Sequence, residues 1–154
     1  MGRPADRSGR ARSLSRRLAL QALYQWLLTG HDLAELRNQY AADEGYREVD
    51  AEYFAGLLQG TVEGAAELDA LLAELIDRPV AQLDPVEHAV LLIGLHELGH
   101  CPGVPYRVVI NEGVELAKKF GATDGHKFVN AVLDRAARRL RAAEQAVAAP
   151  QARG

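Results

Sequence analysis

From Leu14 onward the apolar residues recur at threes and fours. Leu14, Leu18, Ala22, Leu23, Trp26 and Leu27 form one helical stripe that Gly30 closes. Asp32 is placed to cap a short second helix carrying Leu33, Leu36 and Tyr40. After a loop at Asp43, Glu44 and Gly45, Asp50 opens a long apolar pattern that runs through Phe54, Leu57, Leu58, Leu68 and Leu72 to Ile76. Gly60 and Gly64 interrupt it as points of bending or breakage, and Pro79 ends it.

The sharpest start signal follows. Asp84 can cap, Pro85 suits the first helical position, and Glu87 stands where a capping-box acid reaches back, which predicts a helix over Pro85 to Leu98. That segment is apolar around most of its circumference, so it is expected at the centre of the fold. Gly99, Pro102, Gly103 and Pro105 mark a loop, a further helix fits Pro105 to Phe120, and the last fits Asp124 to Ala143. No stretch alternates like a strand between turns. The pattern predicts an all-α bundle of about six or seven helices.

Composition narrows the setting. With 154 residues, 48% of them hydrophobic, the chain can bury one core, and one domain is expected. A single cysteine, Cys101, leaves no internal disulfide and no thiolate cluster for zinc, as suits a reducing compartment. No apolar run approaches the roughly 20 residues of a membrane span, and the charged N-terminus lacks the apolar core of a signal peptide. The expectation is a cytoplasmic protein without membrane contact.

Charge adds a partition that the net value of -3 hides. Residues 1 to 17 hold six arginines against Asp6 alone, while residues 31 to 100 hold 15 acids against Arg37, Arg47 and Arg78. From residue 101 onward basic groups again prevail, nine against five. A basic arm and basic C-terminal part suit phosphates, and the acidic middle suits a basic protein. On charge alone, a solubilising tail on an acidic domain explains the pattern equally well.

Four features carry candidate chemistry. His96, Glu97 and His100 spell H-E-x-x-H, the zinc-protease signature, with Glu112 and Glu115 as downstream carboxylates. Gly99 and the stop at Cys101, Pro102 and Gly103 deny that motif the rigid helix a metal site needs, so coincidence is the better account, with two histidines at the negative end of a helix. The arginine-rich arm is a device by which RNA is often gripped. At the start of the last helix, Lys127 supplies a charge, Phe128 a ring for stacking and Asn130 an amide, although Phe128 also fits the buried face. Glu87 and its acidic neighbours offer either a docking face or an ordinary solvated surface.

Several runs bear a closer likeness. A-L-Y-Q-W at Ala22 to Trp26, V-P-Y at Val104 to Tyr106, I-N-E-G-V-E-L-A-K from Ile110 and F-G-A-T-D-G-H-K-F-V-N-A-V-L at Phe120 to Leu133 occur in the order and spacing of the NusB family. Over about Leu14 to Ala137 the chain resembles that family, and the run Gly121 to Asn130 is its most specific part. The resemblance implies a NusB-like bundle of about seven helices in two helical subdomains. It divides the chain into a flexible arginine-rich arm at 1–13, an RNA-binding helical domain at 14–143 and a flexible tail at 144–154.

It also implies antitermination of transcription, especially of ribosomal RNA operons. The implied partners are boxA-type single-stranded RNA, the ribosomal protein NusE and the elongation complex with other Nus factors. RNA contact is implied for Arg12, Arg16, Arg17, Tyr24, Asp124, Lys127 and Phe128, and NusE contact for Glu87. No catalytic residue, metal ligand or cofactor is implied. Ser13, Leu14 and Ser15 interrupt the familiar arginine run, and Ala81 replaces an acid of the NusE surface. A NusB-like domain also accompanies ribosomal RNA cytosine methyltransferases, but this chain has no Rossmann glycine pattern and no catalytic cysteine context. Opposite charge predicts two separate faces, one basic for RNA and one acidic around Glu87 for protein.

Overall fold

The structure is a computed structural model that describes residues 4–146. Among those residues it contains seven α-helices and no strand: α1 (Pro4–Thr29), α2 (Leu33–Ala41), α3 (Ala51–Glu63), α4 (Ala65–Leu75), α5 (Pro85–His100), α6 (Tyr106–Phe120) and α7 (Gly125–Leu140). Short 3-10 turns lie at Glu44–Glu48 and Val80–Gln82. Met1, Gly2, Arg3 and the tail from residue 147 lie outside the described residues. The expected boundary between arm and domain at residue 13 is not a break in the backbone, because α1 continues through it from Pro4.

The helix ends are set by the residues expected to set them. Gly30 adopts φ +68, which a side chain disfavours, and its N–H closes α1 on the Trp26 carbonyl at 2.8 Å. The Ala34 and Glu35 amides donate to Asp32, the Tyr53 amide to Asp50, and the Val86 and Glu87 amides to Asp84. The long apolar pattern after Asp50 is two helices, α3 and α4, that meet at Gly64. Ser15 joins the start of α3 to α1, accepting from the Asp50 amide at 2.9 Å and donating to the Asp50 carbonyl at 3.0 Å.

Helix α5 is the axis of the molecule and packs on α1, α3, α4, α6 and α7. Ala89 to Leu95 are all buried, so the helix is dry around its circumference, as its sequence predicted. On one side α1, α2 and α3 pack together, and on the other α6 and α7, with Leu23, Phe54, Leu92 and Leu133 among the most buried members of one continuous core. Where α7 ends, Arg141 folds beneath α5 and donates to the carbonyls of Leu98, Glu97 and Cys101 at 2.8, 3.2 and 2.9 Å. A cation thus satisfies the open carbonyls at the negative end of α5.

Candidate nucleic-acid interface

The arginines of α1 part company. Arg16 lies three residues before Ala19 and seven before Leu23, on the stripe that faces the core, and only 3% of it is exposed. Its Nε and Nη2 donate to Glu97 at 2.8 and 2.9 Å, and its Nη1 to Glu112 at 3.0 Å. Glu97, 1% exposed, also accepts from the Tyr53 hydroxyl, while Glu112 accepts from Ser13. Burial alone lowers the pKa of the Arg16 guanidinium, and Glu97 more than reverses this, so the group stays charged. Burial, together with the Glu97 charge, pushes the Tyr53 phenol well up. Arg16, expected at the RNA contact, is placed here as the counter-ion of a buried acid, with its guanidinium divided between two carboxylates.

Arg12 turns to the same side. It is half-buried, its guanidinium carbon 4.6 Å from the Tyr53 ring centroid, beside a cavity of about 340 Å³ that Asp50, Glu52 and His96 also line. Arg17 faces the other way. Its guanidinium lies 5.2 Å from the centroid of Phe120, the last residue of α6. Beyond Phe120 runs a groove of about 460 Å³ lined by Gln21, Tyr24, Gln25, Tyr40 and Val86. Tyr24 is 38% exposed, unusual for a large side chain in this fold, and the Tyr40 hydroxyl donates to Gln25 at 2.9 Å. Aromatic rings beside amides and a guanidinium are the furniture of single-strand recognition, stacking supplying affinity and amides reading base edges.

At the end of this groove the start of α7 meets the start of α5. Asp124 is held at φ 66, in the left-handed region, and turns the chain from the loop into α7. Its carboxylate reaches Lys127 at 3.3 Å, both side chains being exposed. Phe128 is half-buried, and the Arg78 guanidinium carbon sits 4.2 Å from its centroid. Glu87, only 9% exposed, does not serve its own helix end as a capping-box acid. Its carboxylate packs against Gly125, where an added methyl would stand 2.7 Å from Oε2, so a side chain there would push the carboxylate aside. Burial raises the Glu87 carboxyl above its ordinary value, Asp84 adds to this, and Arg78 opposes it.

Arg17 and Tyr24 thus meet at Phe120 and the groove, Asp124, Lys127 and Phe128 stand on the first turn of α7 where Gly125 touches Glu87, and Arg12 and Arg16 belong to the Tyr53 and Glu97 cluster. Glu87, expected on a face separate from the RNA residues, adjoins the first turn of α7, and Arg78 lies over Phe128 while its charge acts on Glu87. Sequence reasoning missed Arg78 and Phe120 as parts of the site. Phe120 carried a signal, an aromatic residue closing an amphipathic helix before a glycine loop. Arg78, alone in an acidic stretch beside Pro79, carried none.

The protease motif falls apart in three dimensions. Glu97 cannot activate water, because Arg16 and Tyr53 hold its carboxylate inside the core. The His96 and His100 rings stack on one another at 5.1 Å, and among the described residues no group of three or more His, Cys, Asp or Glu side chains is placed to hold a metal. Among them, too, no helix is long and apolar enough to cross a membrane.

Comparison with known proteins agrees with this geometry. The sequence pattern of the NusB family matches residues 13–138. The transcription antitermination protein NusB of Variovorax paradoxus is 51% identical over 133 residues, covering 86% of this chain and 74% of that protein. That of Hahella chejuensis is 50% identical over 137 residues, covering 89% and 92%. Among solved structures, antitermination factor NusB in complex with NusE and double-stranded RNA superimposes with a TM-score of 0.78 at 28% identity, covering 84% of this chain and 98% of that one. NusB from Aquifex aeolicus superimposes with a TM-score of 0.72 at 29% identity, covering 88% and 92%.

Proposed function

The chain belongs to the NusB family of transcription antitermination proteins, and from that premise we propose that it binds boxA-type single-stranded RNA of nascent ribosomal RNA transcripts together with the ribosomal protein NusE. It does so within the elongation complex with other Nus factors, in the cytoplasm, as a binding factor and not as an enzyme. The observation that carries this reading is the aromatic groove that α1 forms with Tyr40 of α2, Val86 of α5 and Phe120 at the end of α6, with the Arg17 guanidinium over Phe120.

Each residue has a task in the proposed complex. Arg17 and Lys127 meet phosphates, Tyr24 and Phe120 offer faces to unstacked bases, and Gln21 and Gln25 supply amides for base edges. Asp124 shapes the loop through its left-handed backbone and orients Lys127. Exposed Asp84, beside the sliver of Glu87 that remains open, gives a basic ribosomal protein its approach. Arg12 sits on the α3 side, where it serves at most the end of a longer RNA.

The test is RNA binding by the full chain, with and without purified NusE, over a range of salt. The proposal expects binding to boxA RNA that tightens with NusE and weakens with salt, with a log-log slope of about -0.7 for each phosphate neutralised. Arg17→Ala and Lys127→Ala should each remove roughly one such increment. Equal affinity for boxA and an unrelated sequence, with NusE making no difference, would refute it.

A further inference from the structure

Arg78 belongs to no ion pair among the described residues, yet it is not free to wander. It stands in the turn between α4 and the 3-10 turn at Val80–Gln82, exposed, with its guanidinium carbon 4.2 Å from the Phe128 ring centroid. Its charge acts on the Glu87 carboxyl, which packs against Gly125. An exposed cation thus lies over an aromatic ring, within electrostatic reach of a buried acid.

This arrangement decides how a base can use Phe128. A nucleobase stacked on that face would have to occupy the layer the guanidinium already fills. Displacing Arg78 would forfeit both its contact with the ring and its attraction to Glu87. Arg78 itself is exposed, and guanidinium planes stack on bases as aromatic rings do. The surroundings also select base over phosphate. The Glu87 carboxyl lies within electrostatic reach of Arg78, so the field at this guanidinium favours an anion less than a lone cation would, whereas a neutral base is indifferent to it.

We propose that Arg78 is a base-stacking residue of the RNA site, with one unstacked base lying on its guanidinium and Phe128 beneath it as support. This rests on the RNA-binding function proposed above and adds to it a residue that lies outside the basic segments of the chain. Phe128 then acts through Arg78, and Glu87 acts by keeping the guanidinium over the ring.

The experiment measures affinity of the full chain for a boxA-type single-stranded RNA and for a series of the same RNA with one nucleotide at a time made abasic. Wild type, Arg78→Ala, Arg78→Lys and Lys127→Ala are compared, with a thermal melt of each. One abasic position should weaken wild-type binding roughly 5- to 100-fold, the range for one base on an aromatic or guanidinium platform. Arg78→Ala should lose the same factor on intact RNA and nothing further at that position, with an unchanged salt slope and melting midpoint. Arg78→Lys, which keeps the charge and loses the plane, should not rescue it. Wild-type affinity in Arg78→Ala while Lys127→Ala is impaired overturns this proposal and leaves RNA binding standing. Rescue by lysine, with a slope reduced by about 0.7 in the alanine variant, marks a phosphate contact and overturns stacking. A loss that follows a lowered melting midpoint makes Arg78 a mere shield for Phe128 and also overturns it. No RNA binding by wild type overturns both proposals together.

Discussion

Replacing Arg16 by alanine separates a structural arginine from an RNA-binding one. The substitution leaves Glu97 as a carboxylate with 1% exposure and only the Tyr53 hydroxyl as a donor, where it had three bonds from Arg16 as well. Removing one partner of a buried ion pair costs roughly 3 to 5 kcal/mol, because the remaining charge is left uncompensated. The lower part of that range applies if the cavity beside Tyr53 lets water reach Glu97. For a chain of 154 residues each kcal/mol lowers the melting midpoint by about 2 to 4 °C, so a fall of about 6 to 20 °C is expected.

The assay is thermal and urea unfolding, run beside RNA binding at a temperature where the variant is still folded. There, RNA affinity and its salt slope should stay close to wild type. A companion variant, Arg16→Met with Glu97→Met, removes both charges and should be less unstable than the sum of its single changes. Glu112, 24% exposed, can then take its hydration from solvent. An Arg16→Ala protein that melts like wild type and has lost one phosphate's worth of salt dependence would refute the reasoning and return Arg16 to the RNA site.

Other consequences follow from the same geometry. Asp84→Ala removes the acceptor for the Val86 and Glu87 amides and should cost roughly 0.5 to 2 kcal/mol in urea unfolding; no change would mean α5 is capped another way. Glu87 has a folded pKa above its unfolded one, so its contribution to stability is complete below the unfolded carboxylate range and is lost as pH rises through the folded value. Glu87→Gln should therefore stabilise the isolated protein at neutral pH, with the gain shrinking as pH falls to 4; a gain independent of pH would rule out ionisation as its cause. A methyl on Gly60 would collide with the His96 ring, so Gly60→Ala should cost roughly 1 to 3 kcal/mol by overpacking, and His96→Ala in the same chain should recover part of it. Burial lowers the His96 pKa, with His100 adding to the effect, so stability should fall as pH drops below about 6.5, and His96→Gln should blunt that fall.

The helices were legible because their determinants are local. Asp32, Asp50 and Asp84 cap within three residues, Gly30 and Gly64 stop helices where they stand, and the dryness of α5 follows from its own composition. Of the candidate site, Lys127 was legible from its residue type at a helix start, whereas Tyr24 entered only through the family resemblance. Arg16 shows the limit. Its bond to Glu97 spans 81 residues, and its charge in a basic segment pointed to phosphate. The correcting signal was present: three residues before Ala19 and seven before Leu23, Arg16 shares their buried face, and a buried cation demands a buried anion. Glu97 was in the same position, an acid in a helix dry on all sides, hidden by a motif that suggested zinc.

Opposite charge along the chain does not keep Glu87 apart from the start of α7. Charge segregation along the sequence is not segregation in space, because α5 begins in the acidic segment and α7 in the basic one, and the fold packs their first turns together at Glu87 and Gly125. A ligand that repositions Glu87 must therefore change the field on Arg78, and through it the support Arg78 gets over Phe128. Two ligands biasing one element are coupled reciprocally: whatever factor a protein partner at Glu87 adds to RNA affinity, RNA must add to the affinity for that partner. On the proposed function, that adjacency would let protein docking and base stacking act on the same guanidinium.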